Sequence, residues 1–252
     1  MIIQLSLQIA LVVIVLSLPI AMLILSASAR RARAPQMRPL SAFDVLRGQV
    51  GRGVETGRPA HISIGVGGIA GDDTLVTLAG AAIVDSVAQE AADTGAAPAV
   101  TVADGASMIL AQDTLRRPYA RRGDLAGYDP RDVQLLGMQP FQYAAGAMDF
   151  LAHAQPVSSV MVGSFGPEVG LIVEEGVKQG LTQVAGATDA RALAVLFPSA
   201  NHLLVGEEVF AAPAYLDRRR GHIARLQAQD LVRFIVAAVI VIWSILLLFV
   251  EV

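Results

Sequence analysis

The 252-residue chain contains no cysteine, which removes thiol catalysis, disulfide staples, iron–sulfur clusters and thiolate zinc sites together. Charge is scarce as well: 16% of residues are charged and 54% hydrophobic, whereas a soluble domain ordinarily carries about a quarter charged residues. Lysine is almost missing, with Lys178 alone against 18 arginines, a bias to which no function attaches. Four scattered histidines do not make a metal cage, so no metal is expected. Glycine and proline show no repeat, which excludes collagen-like and low-complexity chains. There is no G-x-x-x-x-G-K-[ST] for phosphate hydrolysis and no G-x-S-x-G elbow for a serine hydrolase.

What the chain does have is two long apolar runs. Residues 9–27 (IALVVIVLSLPIAMLILSA) carry no charge and, at ~1.5 Å per residue, can cross a ~30 Å hydrocarbon core. Residues 234–250 (FIVAAVIVIWSILLLFV) form a second run between Arg233 and Glu251. Both are expected to be transmembrane helices, Pro19 being tolerated where neighbouring groups satisfy the freed carbonyl. Arg30, Arg31, Arg33 and Arg38 follow the first run, and Arg218, Arg219, Arg220, Arg225 and Arg233 precede the second. The positive-inside rule then puts the intervening chain in the cytoplasm and both termini outside, in the cell (inner) membrane. A cleaved signal peptide competes for the first run, given the small residues Ser26-Ala27-Ser28-Ala29, but no basic residue precedes it. Residues 41–217 carry a net charge of −10 and the flanks +7, so the lipid bilayer is an expected partner and nucleic acid is not.

Four segments follow from this pattern. Residues 1–29 hold the first span, 30–58 a juxtamembrane linker with a short amphipathic stretch at 43–46, and 59–212 an α/β domain. Residues 213–252 hold a helix continuing into the second span, a rod of roughly 55 Å over residues 214–250 unless Gly221 breaks it. In the domain, β-branched runs at 61–66, 99–103, 133–136, 159–162, 183–185 and 202–205 alternate with helical patterns at 72–93, 106–119, 141–153, 169–179 and 190–197. Such alternation predicts a mostly parallel, doubly wound Rossmann-like sheet of about six strands covered on both faces. The helix at 72–93 is apolar nearly all round, so it is either deeply packed core or pressed against another subunit; a homo-oligomer, or a contact with another membrane protein, through Ile83 and Val87 is the expectation.

Ligands of open α/β sheets bind where strands end and helices begin. Gly65-x-Gly67-x-x-Ala70, with Gly68 inside it, matches a relaxed dinucleotide fingerprint, and Asp104 ends the second strand where a ribose-binding acid is expected. Asp72 and Asp73 stand where a pyrophosphate has to approach the helix N-terminus, and two carboxylates there repel it. No cofactor is therefore expected. Ser164 reads as a helix N-cap. Glu168, Glu174, Glu175, Asp189, Glu207 and Glu208 are placed to share one mouth with Asp104, for acid–base work or cation binding, although acids in first turns also follow from the helix dipole alone. His61 and His202 begin strands and so lie at the opposite edge. Arg116, Arg117, Arg121 and Arg122 form the one basic cluster inside the domain, as the end of a helix favours.

At GVGGIAGDD, VMVGSFGPEVGLIVEEG and HLLVGEEVFAAPAYL the chain resembles a family of uncharacterised bacterial proteins with membrane spans at both ends and a cytoplasmic α/β domain between them. The resemblance implies that architecture and no activity. Two functions remain in view: a membrane-anchored scaffold or partner-binding module, and an enzyme or small-molecule sensor using the carboxyl edge of the sheet. A concave mouth with converging carboxylates selects the second; a filled or flat edge selects the first.

Overall fold

The computed structural model describes residues 38–216 together with 233, 234, 236, 237, 240 and 241. The chain divides into two units, Arg38–Leu216 and one made of the two flanks. The expected spans, the arginines Arg30, Arg31, Arg33, Arg218, Arg219 and Arg220 and most of the expected rod lie outside the described residues. Of the second apolar run and its preceding arginine, Arg233, Phe234, Val236, Ala237, Ile240 and Val241 are described; they are helical and exposed.

Strands form where short β-branched or small-residue runs are bounded by turn residues. They are β1 (Ala60–Gly65), β2 (Ala99–Val102), β3 (Val133–Leu135), β4 (Ser158–Ser164), β5 (Thr182–Ala187) and β6 (His202–Val205). All pair in parallel in the order β3-β2-β1-β4-β5-β6. That is the doubly wound order in which the chain reverses direction across the sheet between β1 and β4. The helices are α1 (Ser41–Thr56), α2 (Thr74–Thr94), α3 (Gly105–Arg122), α4 (Pro140–Ala154), α5 (Val169–Lys178), α6 (Ala190–Leu196) and α7 (Ala212–Leu216). On one side α2 packs against β1 and β4 and is flanked by α1, α3 and α7. On the other, Tyr143, Ala147 and Leu151 of α4, Ile172 and Val173 of α5 and Leu196 of α6 close over Met161 and Ala185 of the sheet.

Two expectations are corrected here. Residues 41–56 are a 16-residue helix rather than linker, because Ala42, Phe43 and Leu46 recur at helical spacing and are buried despite three internal glycines. The helix α2 is core and not a subunit contact at Ile83 and Val87: both are buried within a single chain, α1 and α7 covering the flank that the sheet leaves open. It is also, among the described residues, the helix long and apolar enough to cross a membrane, and 56% of its most apolar window is buried inside the domain.

The two ends of the domain lie side by side. Phe43 stacks on Tyr215 with ring centroids 5.0 Å apart, the Tyr215 hydroxyl donates to the Arg38 carbonyl at 2.7 Å, and Arg38 pairs with Glu208 at 3.8 Å.

Beneath α4 the sheet carries a buried polar layer. His61 Nδ1 meets Ser159 Oγ at 3.0 Å and its Nε2 meets Thr101 Oγ1 at 2.9 Å. The Tyr143 hydroxyl joins Thr101 Oγ1 at 2.9 Å, donates to the Thr101 carbonyl at 3.2 Å and bonds Ser63 Oγ. Burial pushes the His61 imidazole down to about 3 and, against the pull of its hydrogen bonds, the Tyr143 phenol up to about 12. The histidine is therefore a neutral structural group that ties β1, β2 and β4 together. By contrast, the buried Thr77 Oγ1 of α2 has no hydrogen-bond partner among the described residues. Thr77→Val removes that orphan hydroxyl at nearly constant shape and is expected to raise the denaturation free energy by about 1 kcal/mol in equilibrium unfolding; a loss of stability would show the hydroxyl to be satisfied.

Candidate functional site

The carboxyl edge of the sheet is pinched at its centre. Gly65 takes a left-handed backbone (φ 81°), and a Cβ there would stand 2.1 Å from the Ser164 carbonyl oxygen. This close approach lets the Val66 amide donate to Ser164 O at 2.9 Å, so β1 and β4 remain joined one residue beyond β1. Gly67 is equally constrained, since a Cβ would lie 2.6 Å from Thr77 Oγ1 and 2.8 Å from Ser164 Cβ. Gly68 is different, with a Cβ in ordinary contact with Asp104 at 3.5 Å. The glycines thus serve backbone packing, and the Ser107 hydroxyl holds the loop down by donating to the Gly67 carbonyl at 3.0 Å.

Asp104, the candidate ribose acid, caps α3, its carboxylate accepting the Ser107 amide at 2.8 Å. At the start of α2, the Asp73 carboxylate accepts the Ser164 hydroxyl at 2.7 Å. Asp72 is exposed beside it. Ser164 is consequently the last residue of β4 and a donor to Asp73, not the N-cap of α5; that position belongs to Glu168.

Above this pinch opens a cleft of about 690 Å³ between the β1, β4 and β5 ends and the start of α4. It is walled by Val66, Asp73, Ser164, Phe165, Gly166, Pro167, Glu168, Thr188, Asp189 and Arg191, with Gln139, Pro140, Phe141 and Gln142 opposite. The volume suits a small organic ligand. Three carboxylate residues line the cleft. Asp73 is held by Ser164. Glu168, only 6% exposed, accepts the Gly166 amide at 2.8 Å. Asp189 caps α6, accepts the Arg191 amide at 2.7 Å and pairs with the guanidinium at 2.8 Å, and these bonds hold its carboxyl down to about 2.

The mouth is narrower than the sequence implied. Glu174 pairs with Lys178 at 3.1 Å and Glu175 accepts from Gln179 at 2.8 Å, both along α5 rather than in the cleft. Glu207 and Glu208 sit in the 3-10 turn Gly206–Ala211, where Glu208 accepts the Val205 amide at 3.0 Å. His61 is sealed in the core and His202 Nδ1 lies 3.2 Å from Ser41 Oγ. Within the basic cluster, Arg117 pairs with Asp113 and Arg122 with Asp93. Sequence reasoning missed Phe141, Gln139, Gln142 and Arg191. The Gly137–Pro140 turn before α4 is the local signal for the first three, but strand order is what carries them to the cleft.

Among known proteins, a family described as a domain of unknown function (DUF6754) matches residues 3–252. No curated protein matches the chain, and no solved structure does.

Proposed function

Since the chain belongs to the DUF6754 family, whose description states no activity, we propose on the geometry that Arg38–Leu216 is a small-molecule-binding domain, a sensor or enzyme whose site is the cleft at the β1/β4 switch point. The observation that carries this reading is the open concavity of about 690 Å³, lined by Asp73, Glu168 and Asp189 among others. A flat or filled edge was the mark of a scaffold. Residues 9–27 and 234–250 would tether the domain to a bilayer.

Hydrogen exchange of the full chain in detergent, with and without a small-molecule extract of its host, tests the site. Protection of the segments 137–143 and 164–168 is expected, and its loss in Phe141→Arg, which fills the cleft wall. Unchanged exchange in both segments would remove the reading. Topology is separable: reporter fusions at Met1 and Val252 should both report the outside, and a cytoplasmic signal at either end overturns the hairpin.

A further inference from the structure

One apolar strip stands uncovered beside the cleft. Met138 and Phe141 expose 71% and 67% of their surfaces and Leu135 38%, all on the segment that leaves β3 and enters α4. A Cβ at Gly137 would stand 3.0 Å from Gln142 and from the Tyr143 amide, so the turn bearing Met138 is pressed against the first turn of α4. Phe141 lines the cleft together with Gln139, the residue after Met138, and the strip therefore runs into the cleft from its rim. Single exposed apolar side chains are ordinary, whereas a contiguous set beside a concavity marks a place where something apolar docks. Val54, Leu125, Val177 and Phe197, exposed at the opposite edge of the sheet, come one to each connection.

The cleft itself suits a polar but uncharged group. Its acids are already engaged, Asp73 by the Ser164 hydroxyl, Glu168 by the Gly166 amide and Asp189 by Arg191. None of these carboxylates calls for a cation, and together they oppose an anion. Gln139, Gln142 and Thr188 of the wall offer uncharged donors and acceptors.

We propose that cleft and strip together take a single-chain bilayer lipid with an uncharged head, of the monoacylglycerol class. Its hydroxyls meet Gln139, Gln142 and Thr188, and its acyl chain lies over Phe141, Met138 and Leu135. This rests on the cleft being the binding site.

Photolabelling of the full chain in lipid nanodiscs, where no detergent competes, tests this with a monoacylglycerol carrying a diazirine in its acyl chain, the adducts being mapped by mass spectrometry. Adducts on residues 135–142 are expected, suppressed by unlabelled monoacylglycerol at least about tenfold more effectively than by the matching fatty acid or by glycerol. Met138→Ser, at an exposed position outside the cleft wall, is expected to lower labelling about tenfold without moving the melting curve. Leu135→Ser provides a second variant should that one fail to fold. Phe197→Ser, at an exposed position on the opposite edge, should label as the natural chain does. Labelling undiminished in Met138→Ser, or diminished as much in Phe197→Ser, would reveal mere partitioning onto apolar surface and overturn the proposal. Suppression by the fatty acid as strong as by the monoacylglycerol would also overturn it, while leaving the cleft as a ligand site. Absence of adducts on residues 135–142 overturns the lipid and leaves the cleft to be judged by its hydrogen-exchange test.

Discussion

Ile83→Glu is expected to prevent the domain from folding. Ile83 lies in the middle of α2 with no solvent exposure, on the helix that packs against β1 and β4 and is flanked by three others. Replacement forfeits about 2 kcal/mol of hydrophobic burial and places a carboxylate where nothing pairs with it, which costs several kcal/mol more. The sum, on the order of 5 kcal/mol, matches the entire stability of many domains. Leu75→Glu and Leu78→Glu on the same helix are the controls. Their side chains are 68% and 45% exposed, and each is expected to change stability by less than about 1 kcal/mol. Circular dichroism and limited proteolysis of the full chain in detergent distinguish the outcomes. A folded Ile83→Glu protein of reduced oligomeric mass would instead make α2 an interface between copies, and the interior packing described for it would be wrong.

The second large effect is acid lability from His61. The imidazole is held near 3 by burial, whereas in the unfolded chain it returns to about 6.5. Between these values the unfolded state binds one proton more than the native state, so stability falls as pH falls through that window. The loss amounts to about 2 kcal/mol between pH 6.5 and 4.5 and on the order of 4 kcal/mol by pH 3. Asp189 acts with the same sign at lower pH: its depressed carboxyl adds stability that is lost as pH falls from the ordinary carboxylate value of 3.8 towards about 2. The interval above pH 4.5 thus isolates the histidine. Chemical denaturation of His61→Gln across pH 6.5–4.5 should show a flatter dependence than the natural chain, together with a lower stability at neutral pH, since Thr101 and Ser159 lose their well-placed partner. An unchanged slope would assign the proton uptake to another group.

Much of the architecture was legible locally. Alternating β-branched runs and helical patterns announced six parallel strands, and the observed bounds differ from that reading mostly at strand ends, as β4 shows by running from Ser158 to Ser164 rather than over 159–162. The glycine loop and the acids after it were legible for the same reason: backbone sterics and like-charge repulsion act between residues near in sequence. The reading failed where burial overrode local preference. Three glycines made residues 41–56 look like a linker, yet Phe43 and Leu46 gain enough from packing to hold the helix. The absence of a polar face on α2 showed that its surface must be covered, but composition cannot distinguish coverage by the same chain from coverage by another.

The sequence alone determined the element order, the acidic charge of the domain and the family to which the chain belongs. Only the tertiary structure decided that β1 lies beside β4, that Ser164 reaches Asp73, and that Phe141 and Arg191 face one cleft with Glu168. The physical reason is separation along the chain. Strand order is set by which apolar faces can be covered together, a property of the whole sheet, and a site at the switch point joins residues that no local interaction brings near one another.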